Sequence, residues 1–278
     1  MIKLTTKLRL WSFTFPLLWL SVSIAQVQAK TLVVASDEWC PYICDDRTLP
    51  GFLVEIVKEI AANNTIKVKL SLMPLARALD LAQKGKVDIL LALTPQHIAE
   101  FQLQQSQTSF GGLYNDFYVH ADQPWRFKNI DDLATKLKDN AILGTINGYQ
   151  YGTDLGHLIE ENTSHIFSAS GISPLQKQLD MLQMKRLDIL LDSRFTVQFH
   201  LAKLPNYTIV YAGTQGDFTP LFLGFSSLFD KALIPVFDEG LQALRESGRL
   251  KQILAKYDVN DWQQQSQMDT IHLPPKSQ

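Results

Sequence analysis

The chain has 278 residues, 46% of them hydrophobic, with 26 Lys and Arg against 28 Asp and Glu. That length suits two domains of roughly 100–150 residues each, and the apolar fraction supports a full core. The slightly acidic balance excludes nucleic acid and anionic membrane as expected partners, because both select concentrated positive charge.

The first segment reads as a targeting sequence. Lys3, Lys7 and Arg9 precede an apolar stretch from Leu10 to Ile24, interrupted by Pro16, and Val27-Gln28-Ala29 offers a small-x-small cleavage pattern. Residues 1–29 are therefore assigned to a secretory signal peptide. The stretch is too short and broken for a membrane span, no Cys marks a lipid anchor at the cut, and no later window is long and apolar enough to cross a bilayer. Without the three signal cations the balance is 23 against 28. The mature chain, from about Lys30, is expected to be an exported, periplasmic, mildly acidic monomer that does not span the membrane.

Thr31 to Ala35 predicts a buried parallel strand, and Ser36 to Gly51 a loop rich in Asp, Pro and Cys. Phe52 to Asn63 has the apolar spacing of an amphipathic helix, Ile66 to Met73 the alternation of a strand, Ala76 to Lys84 a second helix, and Val87 to Leu91 a third strand. Tyr114 to Ala121 is extended and leaves this lobe. Ile130 to Leu137 predicts a helix and Ala141 to Ile146 a new first strand. The Gly148-Tyr149-Gln150-Tyr151-Gly152 loop, another helix and a strand near Tyr207 to Tyr211 follow. Phe218 to Phe225 reads as a return strand, and Ser227 to about Tyr257 as helix with breaks expected at Gly240 and Gly248. The Gln-, Ser- and Pro-rich tail reads as irregular.

The two cysteines, Cys40 and Cys44, are spaced so that an oxidising compartment permits a bridge, while Pro41 between them leaves the geometry open. The segment Leu79 to Ala92 (LDLAQKGKVDILLA) recurs one hundred positions later as Leu179 to Asp192 (LDMLQMKRLDILLD), identical at seven of fourteen places. Each copy reads as a helix end, a basic turn and a buried strand. The echo predicts two α/β lobes of one design, each with a mainly parallel, Rossmann-like sheet, joined by a two-segment hinge. The first lobe is assigned to residues 30–116 and 224–262, the second to 117–223, and the irregular tail to 263–278. Two crossings make a hinge, and a hinge between lobes makes a closing cleft.

The segments TLVVASDEWCPY, PGFLVEIVKEIA and LAQKGKVDILLALTP resemble the first lobe of the family 3 extracellular solute-binding proteins, which have the type II periplasmic-binding fold. IDDLATKLKDNAILGTINGYQYG resembles the start of their second lobe, MLQMKRLDILLDSR its ligand-contacting segment, and LIPVFDEGLQALRESGRLKQILAKY their closing helices. The match covers essentially the mature chain. The resemblance implies a receptor that closes on a small polar, amino-acid-like ligand and presents it to an ABC permease or a membrane sensor, with no cofactor and no metal. It also implies that an aromatic after the first strand (Trp39 or Tyr42) packs on the ligand, that Thr94 helps hold a carboxylate, and that Asp192 takes an ammonium. The family's Thr-Pro-x-Arg stands here as Thr94-Pro95-Gln96-His97, so a planar, always-charged donor is replaced by His97. Arg77 or Arg194 is the candidate replacement.

The residues themselves support a cleft of this kind. Ligands of open α/β sheets lie outside the carboxyl ends of strands, which selects Asp192 for a ligand role, with turn capping as its plain alternative. Trp39 and Tyr42 suit either a ligand face or the core, and Tyr149 and Tyr151 flank a glycine turn at a helix start. Asp88 and Asp188, at strand starts away from the cleft, read as turn or cap residues. No G-x-S-x-G elbow, H-E-x-x-H, phosphate loop or metal-spaced His/Asp cluster is present, so no catalytic residue is assigned. The competing expectations are a dehydratase-like enzyme on the same scaffold and a signalling module whose cleft is plugged by its own side chains.

Overall fold

The computed structural model describes residues 31–263, so the segment expected to be a signal peptide and all of the expected irregular tail but Gln263 lie outside the described residues. The apolar run Thr31–Ser36 forms β1, which pairs in parallel with β2 (Lys67–Leu72) on one side and β3 (Ile89–Leu93) on the other. Between β1 and β2 lies α1 (Phe52–Asn63), which buries Phe52, Leu53, Ile56, Val57 and Ile60. Each such side chain contributes roughly 1.5–3 kcal/mol of transfer free energy. Helix α2 (Leu75–Gln83) follows Pro74 and leads to β3, after which α3 (Pro95–Glu100) and the short β4 (Gln104–Gln105) complete the run.

The second half repeats the plan. Helix α4 (Ile130–Lys138) is capped by the Asn129 side chain, which accepts from Asp132 N at 2.9 Å. Strands β6 (Leu143–Ile146), β7 (Ile166–Ala169) and β8 (Ile189–Asp192) are parallel, with β6 central. Helix α5 (Thr153–Glu161) joins β6 to β7, α6 (Pro174–Gln183) joins β7 to β8, and α7 (Arg194–Leu201) follows β8. The halves are connected through β5 (Gly111–His120) and β9 (Ile209–Phe225), two antiparallel strands that pair with each other and run from one half into the other. Their pairing slips between Leu113 and Asn115, where the sheet passes between the halves. Helices α8 (Ile234–Glu246) and α9 (Arg249–Ala255) return to pack on α1.

Several expectations are corrected. The separate strands near Tyr207–Tyr211 and Phe218–Phe225 are one strand, β9, which runs through Gly213 and Gly216 at positive φ. Strand β7 and the short helices α3 and α7 add to the expected elements. Gly248 breaks the last helical stretch in the left-handed region, but Gly240 lies inside α8. A Cβ at Gly240 would stand 2.5 Å from Ile60 Cγ2, so glycine there allows α8 to approach α1.

The repeat has a direct structural counterpart. Asp88 N–H donates to Val33 O while the Asp88 carboxylate accepts from Val33 N at 2.7 Å. Asp188 does the same with Ile142, its carboxylate accepting at 2.8 Å. Both aspartates thus pin a neighbouring parallel strand and lie away from the strands' carboxyl ends. The copies part after their strands. β3 begins one hundred positions before β8, yet α3 begins only ninety-nine before α7. The extra residue is absorbed at Ala92, which takes φ 58 within the irregular pairing of β3 with β9.

Candidate functional site

The carboxyl ends of β1 and β3 face those of β6 and β8 across a seam, and hydrogen bonds close it from both sides. Trp39 Nε1 donates to Asp192 Oδ1 at 3.1 Å, and the Tyr149 hydroxyl donates to Asp37 Oδ2 at 2.9 Å. Gln150 Nε2 donates to Glu100 Oε2 at 2.6 Å, Glu38 N–H to the Ile172 carbonyl at 2.8 Å, and the Ser173 hydroxyl to the Glu38 carboxylate. His97 Nε2 lies 2.7 Å from the Gly148 carbonyl. A cavity of about 30 Å³ remains, lined by Ser36, Asp37, Trp39, Thr94, His97 and Tyr149 among others. That is space for a water or two, so the chain's own side chains fill most of the gap.

The backbone fixes the histidine tautomer. Thr94 N–H donates to His97 Nδ1 at 3.2 Å, and the Thr94 hydroxyl lies 2.9 Å from the same nitrogen. Nδ1 is therefore an acceptor and Nε2 carries the proton given to Gly148. Burial pushes the His97 pKa below its usual value, so the ring is neutral at pH 7. Thr94 and His97 form a reciprocal cap on α3, which is why a histidine is held rigidly there.

Two carboxyl groups dominate the electrostatics. Asp37 is 3% exposed and Asp192 5% exposed. Burial raises the pKa of Asp37 to about 7 and that of Asp192 to about 6, against opposing hydrogen bonds from Tyr149 and from Thr196 and Trp39 respectively. Asp192 Oδ1 accepts from Trp39, Thr196 and the Ser193 amide, while its Oδ2 is buried without a hydrogen-bond partner. An orphaned buried carboxylate oxygen is costly and marks a place where a donor belongs.

Of the residues singled out from sequence, the structure gathers Trp39, Thr94, His97, Tyr149 and Asp192 at the seam. Tyr42 stacks behind Trp39, with ring centroids 4.3 Å apart, and its hydroxyl donates to the Gly112 carbonyl, so it supports the indole. Tyr151 belongs to the core of the second half, its hydroxyl accepting from Ile146 N at 2.7 Å. Arg77 is exposed on the first turn of α2, where its amide donates to the Pro74 carbonyl at 2.9 Å and its guanidinium has neither hydrogen bond nor ion pair among the described residues. Arg194 is held by Asp116, with Nε 2.9 Å and Nη2 2.8 Å from the carboxylate, and lies 4.1 Å from the Tyr114 ring centre. Arg194 is thus engaged by Asp116, whereas Arg77 lies two positions beyond Leu75, which lines the cavity, without bonding across the seam. Cys40 and Cys44 are joined in a disulfide with Cα atoms 4.9 Å apart, beside Trp39 in the loop after β1.

Asp37, Glu38 and Gly148 were missed. Asp37 follows an apolar strand as Asp192 does, so the strand-end rule would have found it. Gly148, at φ 90, brings its carbonyl to His97 and its Cα against Ala76, where a Cβ would stand 3.1 Å from the Ala76 nitrogen. Among the described residues no group of three or more His, Cys, Asp and Glu could hold a metal ion, and no helix is long and apolar enough to cross a membrane.

The sequence profile described as "Bacterial extracellular solute-binding proteins, family 3" matches residues 32–260. A probable histidine-binding protein of Campylobacter jejuni is 24% identical over 220 residues, covering 77% of this chain and 78% of that protein. A probable amino-acid ABC transporter-binding protein of Haemophilus influenzae is 24% identical over 241 residues, covering 84% and 87%. Among solved structures, an ancestral arginine-binding protein bound to arginine superposes with a TM-score of 0.67 at 16% identity, covering 82% of this chain and 97% of that one.

Proposed function

Because the chain belongs to the bacterial extracellular solute-binding proteins, family 3, we propose that it captures a small polar, amino-acid-like solute between its two halves and presents it to a membrane partner. The observation that carries this reading is Asp192, whose buried Oδ2 has no partner in a seam where aromatic and polar side chains from opposite halves converge. The seam leaves about 30 Å³, so a solute of amino-acid size enters only when the halves part, and is enclosed when they close around β5 and β9. Residues 30–116 and 224–262 form one moving lobe and 117–223 the other. Trp39, Asp37, Thr94, His97, Tyr149 and Asp192 meet the solute.

Members of this family are substrate-binding proteins rather than enzymes, and the proposal gives no residue a catalytic part. It places the chain, exported by residues 1–29, in the periplasm as a monomer. The likeness to the Haemophilus ABC transporter-binding protein favours an ABC permease over a sensor as partner.

A thermal-shift screen of amino acids, peptides, polyamines and organic acids tests the reading. A ligand at a hundredfold excess over its Kd stabilises the protein by roughly 2.7 kcal/mol and raises the melting temperature. Silence across the whole screen would overturn solute capture. It would favour the second reading, a signalling module whose cleft is filled by Tyr149 and Trp39 themselves. Consumption of a compound by the purified protein would instead support the enzyme reading.

A further inference from the structure

We infer that the cleft selects organic cations that carry no carboxylate, amines and guanidines, over the corresponding amino acids. The inference rests on the solute-capture reading above and narrows its ligand.

The charges at the seam carry the argument. Asp37 and Asp192 are both buried there, from opposite halves, and Glu38 and Glu100 stand at its edges, each already bonded across it. Among the described residues no lysine or arginine is hydrogen-bonded or ion-paired to any of them. Arg194 gives its guanidinium to Asp116 and Thr214, and Arg77 is exposed on α2. His97 is neutral and spends its only N–H on Gly148. No lysine or arginine lines the cavity.

A ligand carboxylate would therefore enter a low-dielectric space beside two carboxyl groups, without a counter-charge, which is strongly unfavourable. An ammonium or guanidinium would gain the opposite. It would supply a donor to Asp192 Oδ2, it would replace the Tyr149 hydroxyl on Asp37, and it would sit against the π faces of Trp39 and Tyr149, whose rings meet edge-to-face at 6.1 Å. The site thus has the acceptors and aromatic walls for a cation and lacks what would hold an α-carboxylate.

The test is isothermal titration of the mature protein with matched pairs that differ only by the carboxylate: agmatine and arginine, histamine and histidine, cadaverine and lysine, with glutamate as the anionic extreme. At least one amine should bind 30-fold or more tightly than its amino acid. In the isosteric Asp37→Asn and Asp192→Asn proteins, checked for a cooperative melt, that preference should fall at least tenfold. An amino acid that binds as well as its amine, or glutamate binding at all, overturns the inference and leaves solute capture standing. Absence of binding by every member of the set, amines and amino acids alike, overturns the inference, and solute capture falls with it only where the wider melting screen is silent too.

Discussion

Asp37 and Asp192 are expected to make the protein less stable as the pH rises. Their folded pKa values, about 7 and about 6, lie above the 3.8 of a free Asp because burial disfavours the charged form. The folded chain therefore holds more protons than the unfolded one between about pH 4 and 7. The stability from these two groups is fully present below the unfolded value and is lost as the pH climbs through 6 and 7. The groups facing Asp37 are Ser36, Tyr149 and Asp192, and those facing Asp192 are Trp39, Ser193, Thr196 and Asp116, so no cation offsets the effect. Asp37→Asn should accordingly raise unfolding free energy at pH 8 by on the order of 2–4 kcal/mol, leave it nearly unchanged at pH 4, and weaken ligand binding. Urea unfolding at the two pH values decides the matter, and a variant that loses stability at pH 8 would mark Asp37 as structural. The position of Asp192 at the carboxyl end of β8 was legible from sequence because it is one acid ending an apolar run. The fate of Arg194 was not, because its partner Asp116 lies 78 positions away and only the pairing of β5 with β8 brings them together.

Helix α8 shows why a glycine is an ambiguous signal at the scale of an element. From sequence, Gly240 reads as a break, since glycine costs a helix about 1 kcal/mol relative to alanine. Here it is retained for packing: the Cβ of an alanine would meet Ile60 Cγ2 at 2.5 Å and Cγ1 at 2.9 Å. Ile60 is β-branched and fully enclosed, so it cannot swing aside cheaply. Gly240→Ala should therefore destabilise the protein by about 1–3 kcal/mol despite the gain in helix propensity, whereas Ile60→Ala, which removes both clashing Cγ atoms, should cost less in the Gly240→Ala protein than in the parent. Thermal melts of the single and double variants measure this, and a stabilised Gly240→Ala protein would show that α8 shifts freely on α1. Helix α1 was read to its end residues because its apolar face repeats without interruption from Phe52 to Ile60. Strand β7 escaped because it has four residues and is largely half-exposed, giving neither alternation nor a continuous apolar run.

Across the whole molecule, two halves and a closing cleft were legible, and the bonds that shut the cleft were not. The echo of Leu79–Ala92 in Leu179–Asp192 forecast two halves, since a repeated run needs only local pattern to be seen. The bonds that shut them join positions 51, 112 and 153 apart, and no local pattern encodes such distances. That closure governs binding kinetics. With Tyr149 on Asp37 and about 30 Å³ between the halves, the arrangement that admits a solute is another one, in which this bond has parted. Apparent affinity and association rate then scale with the fraction of molecules so arranged. A phenol-to-carboxyl hydrogen bond contributes roughly 1–3 kcal/mol, so Tyr149→Phe should enlarge that fraction by about tenfold when the arrangement is rare. Stopped-flow fluorescence can follow it, because Trp39 donates across the seam and its environment changes when Asp192 moves away. For a ligand found by the melting screen, the association rate of Tyr149→Phe should exceed that of the parent by roughly that factor, with dissociation changed less. Equal association rates would mean that solutes reach the cleft without parting Tyr149 from Asp37, and the halves would have to open elsewhere.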